Sequence, residues 1–103
     1  MSVTISTQEP AVLLAAIKKS IESTDVKTWE IDKNGGFIHT PPQWKDLAWF
    51  VPTIGEGTLT FSLKAPDGTK VNRGQFAAIH GHLAEMLLSH SWENTKAFTV
   101  SHS

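Results

Sequence analysis

The chain has 103 residues and a formal net charge of -1 at pH 7, and its 40% apolar residues are enough to form the core of one domain covering residues 1–103. The nine Lys and Arg are scattered and only Arg73 is an arginine, which argues against binding to a nucleic-acid backbone. The absence of cysteine excludes disulfides, cysteine-ligated metals and thiol nucleophiles.

The sequence predicts a soluble, cytoplasmic protein. Residues 1–10 contain neither the basic segment nor the apolar segment of an export signal. The longest apolar run, residues 11–17, is far shorter than the roughly 20 residues that a membrane-spanning helix needs. We therefore expect no contact with a membrane.

The first predicted element is an amphipathic helix over residues 7–23. Ser6-Thr7-Gln8-Glu9 has the spacing of a capping box, and Pro10 follows in the first turn, where no intrahelical N–H is needed. The apolar side chains that recur at helical spacing are Leu13, Leu14, Ile17 and Ile21. This pattern is typical of a helix that lies on a sheet.

A β-hairpin is predicted next. From residue 28 the sequence alternates with a period of two, which indicates a strand with Trp29 and Ile31 on one side. Asn34-Gly35 favours a tight turn, so residues 37–40 form the returning strand.

Two registers of this hairpin are open. A two-residue loop sets Ile31 opposite Ile38, whereas a three-residue loop that ends in a left-handed glycine sets Ile31 opposite Phe37. The second register also places Trp29 opposite His39. We favour the second register because it buries the larger Phe37.

The middle of the chain is expected to hold a loop and a third strand. Pro41-Pro42 ends the hairpin, and residues 43–46 are expected to form a loop that carries Trp44. Residues 47–51 are apolar and β-prone, but Pro52 has no N–H for a neighbouring strand. We therefore place this strand at a sheet edge or end it at Pro52.

The clearest strand pattern follows a turn at residues 54–57. Leu59, Phe61 and Leu63 alternate with hydroxyl side chains and Lys64, which predicts a strand with one buried face. A Pro-Asp-Gly sequence at residues 66–68 then ends the strand in a turn.

A second long helix is predicted over residues 73–90, with Asn72 and Gln75 capping its start. Its core-facing side at 100° per residue consists of Phe76, Ile79, His80, Leu83, Leu87 and His90. Residues 98–101 form a last short strand. The sequence therefore predicts a two-layer α+β fold in the order α-β-β-β-β-α-β, with an antiparallel sheet of four or five strands packed against two helices.

His80 has two interpretations because it lies near the centre of the apolar helix face. The favoured one is a neutral core histidine bonded to a backbone carbonyl or a strand hydroxyl. The other is an acid–base or ligand-binding group in a cleft between helix and sheet. His82 diverges from His80 by about 200° on a helix, so the two cannot bind one metal ion. We predict no metal site, cofactor or catalytic residue, since nucleophile and phosphate-binding motifs are also absent.

Tryptophan is unusually frequent in this short chain. Trp29 and Trp49 are most simply explained as core residues. Trp44 and Trp92 lie among polar and loop-forming residues, so we expect them to be exposed contact residues.

Two functions stay open. The favoured one is a non-enzymatic interaction or binding module that associates with itself or with another protein through residues 44–51 and an exposed strand edge. The alternative is a small enzyme or ligand-binding protein with a pocket at His80. The candidate binding residues are accordingly Trp44, Trp49, Phe50, His80 and Trp92.

Overall fold

The computed structural model describes residues 2–23, 28–91 and 97–101. The elements are β1 (Ser2–Ser6), α1 (Pro10–Glu22), β2 (Trp29–Ile31), β3 (Phe37–His39), α2 (Pro42–Lys45), β4 (Trp49–Gly55), β5 (Thr58–Lys64), α3 (Arg73–Ser91) and β6 (Ala97–Ser101). The strands form one antiparallel sheet in the order β2-β3-β4-β5-β1-β6. The predicted α+β fold with a short antiparallel sheet is confirmed.

The sheet contains a strand at the N-terminus that the sequence analysis did not anticipate. β1 lies between β5 and β6, where Val3 pairs with Phe61 and Ile5 pairs with Leu59. All four of these side chains are fully buried. Five residues with only two apolar positions give too weak an alternation to be recognised without the neighbouring strands.

Helix α1 begins at Pro10 rather than at residue 7, and the expected capping box is absent. Glu9 is the N-cap, and no side chain caps the helix. The backbone N–H of Thr7 instead donates to the carbonyl oxygen of Gly57 at 3.0 Å. Thr7 therefore continues the pairing of β1 with β5, which withdraws it from the helix.

The favoured hairpin register is confirmed. Trp29 pairs with His39, and Ile31 pairs with Phe37. Phe37 is fully buried and contacts Phe61 edge to face, with 5.1 Å between ring centroids.

The hairpin loop is held by one carboxylate. Oδ1 of Asp32 accepts the N–H groups of Asn34 and Gly36, each at 2.8 Å. Gly35 has a φ of 84°, which is the left-handed conformation that the three-residue loop requires. The loop therefore determines which side chains of β3 point toward the helices.

Two expectations for residues 41–55 are wrong. Residues 42–45 form the single helical turn α2 rather than a loop. β4 runs through Pro52 and lies inside the sheet, between β3 and β5. β3 pairs with β4 only at Phe37–Phe50, so β3 has ended before it reaches Pro52, and the missing N–H costs no hydrogen bond to that strand.

Helix α3 follows the prediction closely and extends one residue further, to Ser91. Its start carries the expected reciprocal cap: the N–H of Asn72 donates to Oε1 of Gln75 at 3.0 Å, and the N–H of Gln75 donates to Oδ1 of Asn72 at 2.8 Å.

The core lies between one face of the sheet and the helices. Its fully buried side chains are Val3, Ile5, Phe37, Phe50, Leu59, Phe61, Ile79, Leu83 and Leu87. Leu13 and Ile17 of α1 join the same cluster. None of the helices in the described ranges is long and apolar enough to cross a membrane.

Candidate functional site

The second face of the sheet, which we call the outer face, points away from the core. Its side chains on β1 to β5 are Ser2, Thr4, Ser6, Glu30, Ile38, Trp49, Val51, Thr53, Thr58, Thr60, Ser62 and Lys64. None of them is buried. The buried apolar side chains of α1 and α2 belong to the core on the opposite face, so no described part of these helices covers the outer face.

Most of the outer face carries small hydroxyl side chains. Thr4 and Thr60 lie on adjacent strands and pair with each other, with 3.3 Å between their Oγ1 atoms. Side chains of this size make a shallow surface. Such a surface suits contact with another flat surface better than enclosure of a small molecule.

One end of the outer face is apolar. Ile38, Trp49 and Val51 are half-buried, and none of them belongs to the core cluster. The Trp49 ring packs beside Gly36, where a Cβ atom would lie 3.2 Å from Cδ1 of the indole. The expectation that Trp49 fills the core is therefore wrong, because its strand position turns it to the outer face.

A row of four residues crosses this apolar end and carries one charge at each extremity. Glu30 pairs with Ile38, and Trp49 pairs with Lys64. The Phe37–Phe50 pair, continued by one residue, sets Ile38 beside Trp49. The row therefore reads Glu30, Ile38, Trp49, Lys64, and both charged side chains are exposed.

The expectation that Trp44 is an exposed contact residue is wrong. Trp44 is only 9% exposed and belongs to the core cluster, because α2 turns its ring inward. Phe50, the other aromatic candidate of that segment, is fully buried. Trp92 lies outside the described residues. Of the four candidate binding residues that the structure describes, Trp49 alone lies on the outer face.

His80 is a buried residue of the core, as its favoured interpretation has it. It is 3% exposed, and its Nδ1–H donates to the carbonyl oxygen of Phe76 at 2.8 Å. Its ring lies 5.1 Å from that of Phe50 and 4.0 Å from that of Phe76. Burial lowers the pKa of His80, and the bond to the carbonyl opposes this effect only in part.

The remaining ring nitrogen of His80 has no route to a substrate. Nε2 is buried and has no hydrogen-bond partner among the described residues. A groove of about 420 Å³ exists elsewhere, at the end of β5, where Leu63, Ala65 and Val71 line it together with Lys64 and Lys70. His80 does not line this groove.

A cluster of four aromatic rings joins four different elements near the start of β2. His39 lies 4.5 Å from Trp29 and 4.8 Å from His82, and His82 lies 5.8 Å from Trp44, measured between ring centroids. The favoured hairpin register already placed Trp29 opposite His39. No sequence pattern, however, indicated that α2 and α3 bring their rings to the same place.

His39 is held in one tautomer within this cluster. Its Nδ1–H donates to the carbonyl oxygen of Thr28 at 2.7 Å. Burial lowers the pKa of His39, the bond to Thr28 raises it, and the nearby His82 and Glu85 act in opposite directions. Among the described residues no group of three or more His, Asp and Glu could hold a metal ion.

Comparison of the chain with known protein families, with curated proteins and with solved structures finds no match.

Proposed function

We propose that the protein is a non-enzymatic, cytoplasmic protein-interaction module and that the outer face is its binding surface. The observation that supports this proposal is the position of Trp49, Ile38 and Val51. These three apolar side chains are half-buried on the side of the sheet that carries none of the core. Aromatic side chains supply a large contact area for little lost conformational entropy, which is why they concentrate in protein interfaces.

The composition of the outer face favours a protein over other partners. Among the described residues it carries one cation, Lys64, and two anions, Glu30 and Asp32, and the Asp32 carboxylate lies over Gly36 just past the end of β2. A nucleic-acid surface needs several clustered cations, because phosphate contacts supply most of its affinity. Small-molecule sites are concave, whereas this face is shallow. An apolar patch bordered by polar side chains is typical of a protein interface.

The burial of the central histidine supports a non-enzymatic function. A general acid or base must come within hydrogen-bonding distance of the group whose proton it transfers. One ring nitrogen of His80 is bonded to a backbone carbonyl, and the other is buried among core side chains. The alternative of a pocket at His80 therefore has no geometric support.

Site-specific photocrosslinking in cells tests this function. A benzophenone amino acid is placed at Val51 on the outer face, and a matched probe is placed at Ala15, an exposed position of α1. We expect the Val51 probe to give a crosslinked product of one defined mass and the Ala15 probe to give none. Products of equal yield and mass from both probes, or no product from either, would contradict an interaction through the outer face.

A further inference from the structure

We infer that the partner bound by the outer face is a second copy of the same chain. The two copies pack outer face to outer face about a twofold axis that runs parallel to the strands, between β3 and β4. This inference rests on the proposed function, because it names the occupant of the same surface. It follows from the order of charged and apolar side chains along one row of the sheet.

The row with Glu30 at one end and Lys64 at the other is complementary to itself. A twofold axis between β3 and β4 reverses the row in the second copy, so that β2 faces β5 and β3 faces β4. Glu30 then faces Lys64 of the second copy twice in one dimer, and Ile38 faces Trp49 twice. Every charge on the described part of this row meets its opposite, and both apolar residues meet apolar partners.

Glu30 and Lys64 are too far apart to form an ion pair within one chain. Three strand spacings, or about 14 Å, separate Glu30 from Lys64. At physiological ionic strength the attraction between two surface charges this far apart is largely screened. Each lies about 7 Å from the proposed axis, and the usual 30° rotation between packed sheets shifts such a group by roughly 4 Å, within reach of a lysine side chain.

The neighbouring row is compatible with the same axis. Past the ends of β2 and β3 this row contains Asp32, Gly36, Val51 and Ser62. The Asp32 carboxylate and the Trp49 ring cover the outward side of Gly36, so this glycine leaves no open space. The proposed axis sets Asp32 opposite Ser62 of the second copy, whose hydroxyl can donate a hydrogen bond to the carboxylate.

The size of the overlap predicts a weak dimer. Four strands of each copy overlap over the five residues that pair between β2 and β3, 28–32 with 36–40. This corresponds to roughly 19 Å by 17 Å, or about 320 Å² on each copy in projection. Two such faces bury about 640 Å² in projection, below the standard interface size and in the range of weak, transient contacts. We expect a dissociation constant on the order of 100 µM, weakened further by salt because the end contacts are ionic.

Sedimentation equilibrium of the complete chain from about 10 µM to 1 mM tests the inference, since this range brackets the expected dissociation constant. Glu30→Lys and Lys64→Glu each convert two attractive contacts per dimer into repulsive ones, so each should weaken the dimer about tenfold or more. The double variant restores opposite charges and should return the dissociation constant to within about threefold of the original. The matched control is Glu22→Lys, an equal charge change at an exposed position of α1, which should leave the dimer unchanged.

A dimer that the single variants weaken and the double variant restores supports the inference. A dimer that is indifferent to both single variants, or a chain that stays monomeric at 1 mM (on the order of ten times the expected dissociation constant), overturns it. The proposed function is judged separately by the Val51 crosslink. A product whose mass is not twice that of the chain supports the protein-interaction function and contradicts the homodimer. The absence of any product specific to Val51 contradicts the protein-interaction function itself.

Discussion

The two faces of the sheet are built from alternate residues of the same strands, yet they differ in burial and in composition. On the inner face, Phe61 and Leu59 are fully buried beneath the helices. On the outer face, Thr60, which lies between them in the sequence, is half-buried and uncharged. The inner face provides the stability that this chain needs, because it gathers most of the apolar area into one cluster. The described side chains of the outer face lie outside this cluster, and this is the surface that we propose for binding.

Substitutions at adjacent positions of β5 should separate the two faces most strongly. Phe61→Ala removes a fully buried ring that contacts Phe37, and it should lower the free energy of unfolding by about 3 to 5 kcal/mol. Thr60→Ala removes only the hydroxyl contact with Thr4 and should cost less than about 1 kcal/mol. Denaturant unfolding measures both, and equal losses would show that the faces are not distinct.

The two tryptophans of residues 44–51 sharpen the comparison. Trp44 lies in the core and Trp49 on the outer face. Trp44→Ala should cost about 3 kcal/mol of unfolding free energy, and Trp49→Ala should cost about half as much, because its ring is only partly enclosed. Thermal unfolding of both variants at low concentration, where the chain is monomeric, decides the order. A larger loss from Trp49→Ala would place that ring in the core.

Acid should weaken the inner face through its two buried histidines. Burial lowers the pKa values of both His39 and His80 below the ordinary value of 6.5, so the unfolded chain binds protons more readily than the folded one. Their contribution to stability is complete above pH 6.5 and is lost as the pH falls below it, with a slope of at most about 1.4 kcal/mol per pH unit for each histidine.

The variant His80→Leu should reduce this pH dependence. It removes the buried Nε2 that lacks a partner, so stability at pH 8 should be unchanged or higher. The remaining slope below pH 6.5 should be about half that of the original chain, because His39 is retained. Unfolding measured between pH 5 and 8 tests this expectation, and an unchanged slope would contradict the account of His80.

The smallest effects concern the loop that decides which residues of β3 face inward. Gly35→Ala places a side chain on a left-handed residue and should cost about 1 kcal/mol. Gly81→Ala is the matched control: it lies within α3, where an added methyl group meets nothing within 4 Å, and it should stabilise the chain by about 0.5 to 1 kcal/mol. The same sign for both variants would contradict the loop conformation.

The parts of the fold that sequence reasoning predicted are those determined by nearby residues. The hairpin register follows from Asn34-Gly35 and the size of Phe37, and the start of α3 follows from the spacing of Asn72 and Gln75. The burial of His80 follows from its place on the helix face. In each case a local rule and the packing of the whole chain agree, so the sequence was sufficient.

The parts that it missed depend on distant partners. Trp44 stands among polar residues, and only the inward turn of α2 against His82 buries it. Pro52 is tolerated inside the sheet because the pairing of β3 with β4 ends two residues earlier, at Phe50, which no feature of β4 reveals. Trp49 was found on the outer face for the same kind of reason, since its direction depends on where β4 pairs with β5.

The difference between the two faces can be measured directly because the chain contains no cysteine. Val3→Cys and Thr4→Cys place single thiols at adjacent positions of β1, the first fully buried and the second on the outer face. At pH 8 the thiol at position 4 should react with a water-soluble maleimide at least about a hundredfold faster than that at position 3, which must wait for the core to open. Equal rates at the two positions would mean that both faces of the sheet are equally accessible to solvent, which would contradict a buried inner face and an accessible outer face.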